Sequence, residues 1–305
     1  MSVEEPVLVI GFNRPDHLSQ VLERLRQVGV NNIFAAVDGP RGPRDEEAVR
    51  ACRRLITDID WAKSVCTNFQ KDNLGCGRGV TTAITWFFEH VDRGVVLEDD
   101  IVPVPSFFDF CTELLDRYEH DERVFAVSGC NLVPIEGLEN PDAPYRFARI
   151  THVWGWATWR RSWHLHQLEL DDWYRELSPR SLWAGSGRSI PGSLFWAGNF
   201  EAIRRGKVDT WDWPMNFAAM KSGQLTATSN VNLVENIGFD EQATHTTEGT
   251  SGLLPVGIAR TPSQPVPVHK DRQAEKWTRQ HHWNATYLGT LNRMRKFATQ
   301  RGGNR

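Results

Sequence analysis

The sequence lacks the features that would place it in several specialised classes of protein. It contains no apolar run of about 18 residues, the length that a membrane-spanning helix needs, and its start, Met-Ser-Val-Glu-Glu-Pro, does not resemble a signal peptide. It also lacks an excess of charge of either sign, since 35 Lys and Arg residues balance 38 Asp and Glu residues. This balance argues against a dedicated nucleic-acid-binding protein. We therefore expect a cytoplasmic protein that has no nucleic-acid partner.

Cysteine and metal-binding motifs are sparse as well. The five cysteines form no CxxC pair, and their odd number fits a reducing compartment better than a disulfide framework. His152, His164 and His166 lie close together in the sequence, but they lack the HExxH spacing of a zinc site. The glycine-rich segment 74–79 lacks the GKS or GKT ending of a phosphate loop. It is either a turn before a helix or a diphosphate contact in which Arg78 supplies the positive charge.

Tryptophan is in clear excess, with 13 in the chain and many of them between Trp154 and Trp213. Trp156, Trp159 and Trp163 have the i, i+3, i+7 spacing of one helix face, which predicts a stripe buried in the core. Trp154 precedes a glycine, and a flat ring there could stack on the apolar face of a sugar. The excess therefore has two interpretations, core packing and sugar binding.

The first half of the chain alternates short apolar strands with helical patterns. We predict strands over 6–11, 33–37, 64–67 and 94–97, and helices over 16–27, 46–56 and 79–90. This alternation predicts an α/β fold with a doubly wound, mostly parallel, Rossmann-like central sheet and helices on both faces. Ligands of such sheets bind at the carboxyl ends of the strands.

Three consecutive carboxylates, Glu98, Asp99 and Asp100, follow the last of these strands. They repel one another, so they destabilise the fold unless positive charge lies nearby. In an extended chain Glu98 and Asp100 point to one side and Asp99 to the other. Their oxygens suit Mn²⁺ or Mg²⁺, which would also bind a diphosphate. The alternative is a solvated acidic turn before a helix.

An ordered set of segments resembles the A-type (GT-A) glycosyltransferases, in particular the group that contains the animal N-acetylglucosaminyltransferase I and its bacterial relatives. The matching segments span roughly residues 6 to 250 and are Phe12-Asn13-Arg14-Pro15, Val37-Asp38-Gly39, Leu97-Glu98-Asp99-Asp100, Pro105-Ser106-Phe107-Phe108, Trp154-Gly155-Trp156-Ala157-Thr158-Trp159, Trp211-Asp212-Trp213, Asn236-Ile237-Gly238-Phe239 and Ala243-Thr244-His245-Thr246. The resemblance implies a GT-A fold, a nucleoside-diphosphate-sugar donor with UDP as the expected nucleotide, and a divalent cation.

The nucleotide-binding roles that the resemblance implies fall on residues at three strand ends. Arg14 and Asp38 would hold the nucleotide, Asp38 by accepting a hydrogen bond from a uracil edge, and Glu98 would bind the ribose. Asn13, beside Arg14, belongs to the same predicted site. Arg78 joins it on electrostatic grounds, as a cation near a helix N-terminus that could contact the diphosphate.

The resemblance also implies contacts to the donor sugar and to the metal. Asp99 would bind the donor sugar, Asp100 would bind Mn²⁺ or Mg²⁺, and His245 lies in a segment that closes over the donor. Trp154 is our stacking candidate for that sugar. The sequence departs from the family at Gly79, where the animal enzyme has a nucleotide-contacting histidine.

The catalytic base implied by the resemblance is Asp212. An attacking hydroxyl needs a carboxylate within hydrogen-bond reach, opposite the leaving group if the reaction inverts. Asp212 lies between two tryptophans, whose apolar surroundings would raise its proton affinity. The alternative is that Asp212 is the N-cap of a helix over 214–221, and then Asp209 or Glu235 would be the next candidate base.

We divide the chain into a nucleotide-sugar-binding half, 1–128, an acceptor-binding and catalytic half of the same domain, 129–250, and a linker with a helical tail, 251–305. Residues 171–198 form an accessory segment without clear periodicity, and 243–252 form a lid. A helix over 272–300 ends in a basic segment. That helix either packs on the body or makes peripheral contact with an anionic membrane.

The sequence therefore predicts an inverting, metal-dependent glycosyltransferase that moves a sugar to a hydroxyl of a glycan, a glycolipid or another acceptor. A sugar nucleotidyltransferase is disfavoured, because residues 11–15 lack the glycine-rich, basic loop which that chemistry usually places after the first strand. A non-catalytic carbohydrate-binding or nucleotide-sugar-binding protein on the same fold is the remaining alternative.

Overall fold

A mixed eight-stranded sheet organises the chain in the computed structural model, which describes residues 2–238, 254–260 and 264–290. The strands are β1 Val7–Gly11, β2 Asn32–Val37, β3 Ser64–Phe69, β4 Arg93–Glu98, β5 Ile101–Pro103, β6 Val124–Ser128, β7 Tyr145–Ala148, β8 Trp156–Trp159, β9 Leu225–Ser229 and β10 Val234–Asn236. The helices are α1 Pro15–Val28, α2 Glu46–Thr57, α3 Gly75–His90, α4 Ser106–Arg117, α5 Arg160–Trp163, α6 Trp173–Glu176, α7 Pro179–Gly185, α8 Ile190–Arg204, α9 Asp212–Ser222 and α10 Arg272–Trp277.

The strand order of the sheet is β3-β2-β1-β4-β8-β6-β9-β7. The pairs β3-β2, β2-β1, β1-β4 and β6-β9 are parallel, whereas β8 and the edge strand β7 run antiparallel to their neighbours. A separate two-stranded antiparallel ribbon joins β5 to β10. The predicted α/β class with a mostly parallel central sheet is confirmed. The boundaries at 128 and 250 stay predictions, although strands from both halves share this sheet.

Both faces of the sheet are covered by helices, which explains the continuous apolar strands. All five residues of β1 are buried, with Val7 and Val9 in one core cluster and Leu8 and Ile10 in the other. Helices α1, α2 and α4 pack on the first face, and α3 and α9 pack on the second. Helix α1 buries the Leu and Val side chains at its apolar positions, as its spacing predicts.

The three tryptophans predicted to share one helix face do not lie in one helix. Trp156 and Trp159 lie in β8 and face opposite core clusters, and only Trp163 lies in a helix, α5. All three side chains are nevertheless buried, so their core role is confirmed. Burial on both faces of β8 gives a short apolar pattern that periodicity cannot distinguish from a helix.

Two other predictions, both for the second half of the chain, are corrected by the structure. The accessory segment 171–198 is largely helical, because α6, α7 and the start of α8 fall within it. One continuous helix over 272–300 is wrong: α10 ends at Trp277, a π-helical turn follows over Thr278–His282, and Asn284 has a positive φ of 45°. Residues 291–305, with the basic tail, lie outside the described residues. Among the residues described, no helix has the length and apolarity that a membrane crossing requires.

Candidate functional site

The carboxyl ends of β1, β2 and β4 meet at one edge of the sheet. In the parallel register Ile10 pairs with Glu98, and Gly11 pairs with Val37. The segments that follow these strands, 12–14, 38–39 and 99–100, therefore start side by side. This is the arrangement that the sequence predicts for the ligand-binding edge.

Arg14 is the cation at the centre of this edge. Its guanidinium donates a hydrogen bond to Asp99 and lies 2.9 Å from an Asp100 oxygen. The Phe12 N–H donates to the second Asp99 oxygen at 3.3 Å. The Asp99 side chain is 4% exposed, whereas Arg14 and Asp100 are 17% and 16% exposed. One arginine thus holds two adjacent carboxylates that would otherwise repel each other.

The charged forms of the acids remain unfavourable in spite of Arg14. Burial raises the pKa of Asp99 to about 6, although Arg14 acts in the opposite direction. Burial also raises the pKa of Glu98 to about 8, and the charges of Asp100, Asp99 and Asp212 add to this increase. Burial opposes protonation of Arg14, but the two aspartates outweigh it and raise the Arg14 pKa. The cluster therefore carries more negative charge than its arginine can compensate.

The β5–β10 ribbon brings a second chain segment to the acids. The Ile237 N–H donates to the Asp100 carbonyl oxygen at 2.9 Å, and a His17 ring nitrogen lies 3.1 Å from the Ile237 carbonyl oxygen. A Cβ on Gly238 would lie 2.2 Å from an Asp100 carboxylate oxygen and 3.0 Å from Arg14. Only glycine fits this close approach. The predicted lid 243–252, with His245, lies outside the described residues.

Asp38 contacts the start of α3 rather than open space. Its carboxylate accepts hydrogen bonds from the Leu74 N–H at 3.0 Å, the Gly75 N–H at 3.2 Å and the Asn73 side-chain amide at 2.9 Å. This arrangement stabilises the amino end of a helix that begins at Gly75, four residues before the predicted start. The uracil-binding role of Asp38 stays a prediction, and its carboxylate already has protein donors.

Asp209 is a second carboxylate at the amino end of α3. The sequence analysis considers it only as an alternative base to Asp212. It accepts the Cys76 N–H at 3.0 Å and the Gly77 N–H at 2.9 Å. A Cβ on Gly75 or Gly77 would lie 2.7 or 2.4 Å from the Asp209 oxygens. The alternating glycines of 74–79 were the available signal of a close approach, although they do not identify its partner. Residues 75–79 form the first turn of α3, and Arg78 is exposed there; its contact with a diphosphate stays a prediction.

The charge of Asp212 reaches the three acids, since it contributes to the raised pKa of Glu98. The Thr210 hydroxyl donates a hydrogen bond to its carboxylate. The neighbouring Trp211 ring is buried and stacks on Trp156 with centroids 5.7 Å apart, which fixes the chain at this point. The N-cap alternative is wrong in its position: α9 begins at Asp212 itself, and Trp211 is its N-cap residue.

Asn13 and Trp154 have protein contacts of their own. The Asn13 side-chain amide donates to Asp45 at 2.8 Å, and Asp45 also forms an ion pair with Arg41 at 2.8 Å. This network turns Asn13 towards the start of α2. Trp154 is half-buried against the larger core cluster, so packing accounts for part of its surface. Their ligand-binding roles stay predictions. Glu235, the other alternative base, is exposed on β10.

The carboxylate oxygens at this edge are ligands that Mn²⁺ and Mg²⁺ prefer. Within 2–238, 254–260 and 264–290, no group of three or more His, Cys, Asp or Glu side chains has the geometry to hold a metal ion. Mg²⁺ commonly binds one or two carboxylates together with substrate phosphates and water, so it does not require such a group. Asp100 fits this donor set as a single protein ligand. A cation there would compete with Arg14 for the Asp100 oxygen.

The chain is distantly similar to several solved structures. No protein-family model matches the chain. The glycosyltransferase GlyE of Streptococcus pneumoniae TIGR4 is 9% identical, with a TM-score of 0.36 over 74% of this chain and 45% of GlyE. A UDP-glucose pyrophosphorylase solved with UDP-glucose is 9% identical, with a TM-score of 0.38 over 76% of this chain and 91% of that chain. The inositol-1-phosphate CTP transferase of T. maritima is 10% identical, with a TM-score of 0.35 over 75% and 86%. Likenesses this distant carry no conclusion about activity.

Proposed function

We propose that the chain is an inverting, metal-dependent glycosyltransferase that uses a nucleoside-diphosphate sugar, with UDP as the expected nucleotide. The observation that carries the proposal is the convergence of Glu98, Asp99 and Asp100 on one sheet edge beside Arg14, with Asp212 near enough for its charge to raise the pKa of Glu98. Such a cluster destabilises the free protein, and a cation with its diphosphate would relieve the repulsion. An ordinary surface turn gives no reason to bury these charges.

Arg14 has two states in this proposal. In the free protein its guanidinium neutralises Asp99 and Asp100. When donor binds, Arg14 releases Asp100 and contacts the diphosphate, for which a guanidinium is well suited. Asp100 is then available to hold Mn²⁺ or Mg²⁺, which supplies charge stabilisation for the departing diphosphate. Asp99 and Glu98 remain to accept hydrogen bonds from hydroxyls of the donor sugar and the ribose.

Asp212 is the proposed base. Its carboxylate takes the proton of the acceptor hydroxyl while that oxygen forms a bond to the anomeric carbon of the donor sugar. The bond between this carbon and the phosphate oxygen breaks, and the nucleoside diphosphate leaves with the electron pair. The Thr210 hydroxyl holds one Asp212 oxygen, and the Trp211–Trp156 stack restrains the backbone beside it. The acceptor is a glycan, a glycolipid or another hydroxyl compound.

Binding experiments test the donor and metal assignments together. Thermal unfolding is measured with a panel of nucleotide sugars, each with and without Mn²⁺. A matching donor at 100 times its Kd should stabilise the protein by about 2.7 kcal/mol. Asp100→Ala should remove the Mn²⁺-dependent part of this shift, whereas Asp60→Asn, at an exposed position away from the cluster, should leave it unchanged. An equal Mn²⁺ dependence in folded Asp100→Ala would refute the metal assignment.

A non-catalytic nucleotide-sugar-binding protein is the second candidate. The observation in its favour is that Arg14 already pairs with both aspartates, so the edge can persist without a metal. This candidate predicts donor binding without turnover. Donor hydrolysis and sugar transfer, assayed with Mn²⁺ and a mixed panel of acceptor sugars, separate the two candidates, since only the enzyme releases free nucleoside diphosphate.

A further inference from the structure

A cavity lies away from the acid cluster, between the α7–α8 helices, the edge strand β7 and the C-terminal helical segment. Its empty space is about 500 Å³ when the open solvent at its mouth is included. None of the residues that line it belongs to the acid cluster. Its walls come from β7 and the chain that follows it, from the 185–196 region, and from residues 274–285.

The lining of the cavity includes a buried arginine, Arg146, on β7. Arg146 is only 5% exposed. Its two terminal nitrogens donate hydrogen bonds to Ser229, Asn230 and Asn131 at 2.9–3.0 Å. Its Nε atom is buried without a hydrogen-bond partner in the described part of the chain. A buried donor left unpaired destabilises a protein, so a ligand oxygen at this position would be favourable.

A second guanidinium, that of Arg279, lines the same cavity. One of its terminal nitrogens donates to the Ser189 hydroxyl at 2.9 Å, and its Nε is again buried without a partner among the described residues. Neither Arg146 nor Arg279 forms an ion pair with a carboxylate within the ranges described. The cavity therefore presents two cations whose hydrogen-bonding capacity is incompletely used.

The acidic groups near the cavity are already engaged. Glu275 lines the wall, but its carboxylate pairs with Lys270 at 3.1 Å and accepts the Arg149 N–H at 3.2 Å. Asp271 accepts the Ala274 N–H at the start of α10 at 2.8 Å and the Glu139 N–H from a separate loop at 3.0 Å. The surplus charge facing the cavity is therefore positive.

A lining histidine does not alter this balance. Burial lowers the pKa of His152 to about 3, and the nearby His282 and Arg146 act in the same direction. His152 is therefore neutral at physiological pH, and the positive charge of the cavity comes from its arginines.

Aromatic rings form another part of the lining. Phe195 and Trp283 are stacked with centroids 5.7 Å apart and an interplanar angle of 15°, and Trp196 meets Trp283 edge to face at 5.3 Å. All three line the cavity. Rings of this kind pack against the C–H face of a sugar, whereas a simple inorganic anion gains nothing from them. The lining of the cavity thus combines two cationic donors with aromatic rings.

We propose that this cavity is a second ligand site, which binds a sugar ring that carries an oxyanion, either a carboxylate or a phosphate ester. The oxyanion accepts hydrogen bonds from the Nε groups of Arg146 and Arg279, and the ring lies against Trp196 and Trp283. The proposal goes beyond the donor site, because it needs neither the acid cluster nor a metal. A site of this kind can bind an acidic acceptor residue or an acidic regulator.

Calorimetric titration with D-glucuronate and with D-glucose 6-phosphate tests the proposal and distinguishes the carboxylate from the phosphate ester. D-glucose and inorganic phosphate serve as controls for the ring and the anion. We expect at least one acidic sugar to bind at least about tenfold more tightly than either control. Arg279→Gln should weaken that binding by at least about tenfold, because it removes a charge-assisted hydrogen bond. Arg272→Gln, on exposed surface of α10 and outside the cavity, should change it less than twofold.

Two measurements keep the result independent of the donor site and of variant folding. Asp100→Ala should bind the acidic sugar as the wild type does, which separates this site from the proposed glycosyltransferase site. Hydrogen exchange of the wild-type protein should show ligand protection over 185–196 and 274–283, and none over 98–101. The proposal is overturned if no acidic sugar binds up to about 10 mM, if inorganic phosphate binds equally well, or if protection appears at 98–101 instead.

Discussion

The acid cluster at the sheet edge and the cavity beside β7 have opposite charge balances. At the sheet edge several carboxylates converge on one arginine, Arg14, and the pKa values of Glu98 and Asp99 are raised. In the cavity two arginines remain without a carboxylate partner in the described part of the chain, while Glu275 pairs with Lys270. Buried charge normally occurs in compensated pairs, so each region lacks one kind of charge. The sheet edge suits a cation with its diphosphate, and the cavity suits an anion.

The largest expected effect distinguishes chemistry from binding at the sheet edge. Asp212→Asn retains the size and hydrogen-bonding capacity of the side chain but removes its basicity. Turnover should fall by about 10²–10⁴ while donor affinity stays nearly constant. Steady-state kinetics and donor titration measure the two quantities. Binding of the acidic sugar in the cavity should not change, since Asp212 does not line it.

Turnover that survives Asp212→Asn within a few-fold would show that Asp212 is not the base. Glu235 would then be the next acid to test, because the Asp209 carboxylate is occupied by the amides that begin α3. Asp60→Asn is the control for the general effect of losing one negative charge, and it should retain full activity.

A smaller effect is expected from replacing the arginine of the acid cluster, Arg14, and it can be compared with the effect of replacing Arg279 in the cavity. Arg14→Met removes the cation that holds Asp99 and Asp100, and it should lower the free energy of unfolding by about 2–3 kcal/mol at pH 7, less than for a fully buried pair because Arg14 is 17% exposed. The loss should be smaller at pH 5, because this pH lies below the pKa of Asp99, about 6, and the Asp99 carboxyl is then largely protonated. Arg279→Gln removes a cation that has no carboxylate partner among the described residues, so it should change stability by less than about 1 kcal/mol.

Urea unfolding of both variants at pH 5 and pH 7 measures this contrast. An equal loss of stability in the two variants would contradict the opposite charge balances. Arg50→Gln, in exposed ion pairs on α2, provides a matched arginine control for which surface electrostatics predicts a change below about 1 kcal/mol.

The smallest effect is a pH dependence. The folded-state pKa of Glu98, about 8, lies above its ordinary value of 4.5, so folding takes up a proton between these values. The contribution of this group to stability is complete below pH 4.5 and is lost as pH rises to 8. In Glu98→Gln the decrease in unfolding free energy between pH 5 and pH 8 should be smaller than in the wild type by about 2 kcal/mol, with allowance for the partial exposure of Glu98. Chemical denaturation at both pH values, without divalent cations, measures this difference. Identical changes in unfolding free energy in the two proteins would show that the folded state does not raise the pKa of Glu98.

The sequence predicted the parallel half of the molecule well because its information there is local. Strands β1, β2 and β4 are buried on both faces, so their apolar runs stand out, and α1 and α2 have one apolar face each. The positions of Glu98, Asp99 and Asp100 at a strand end follow directly. The same reasoning failed at β8, where a short strand buried on both faces resembles a helix, and in 171–198, where helices α6 to α8 have no clear apolar stripe.

The partners of the charged residues could not be predicted in the same way. Arg14 and Asp99 are 85 residues apart in the sequence, and Asp209 and Gly77 are 132 residues apart. The cavity joins Arg146 on an edge strand to Arg279 in a π-helical turn, an element that no sequence pattern indicated. Such contacts depend on how whole elements pack, and the local spacing of residues carries no record of that packing.

The sequence by itself determined the α/β class, the carboxyl edge at which the acids lie, and the kinds of chemical group available there, because the alternation of burial along a strand or helix is written in residue order. Only the tertiary structure decided that Arg14 neutralises two of the acids, that Asp38 and Asp209 stabilise the start of α3, and that Arg146 and Arg279 share a cavity. The physical reason is that charge interactions depend on distance in space and on burial. Both are set when distant segments pack together.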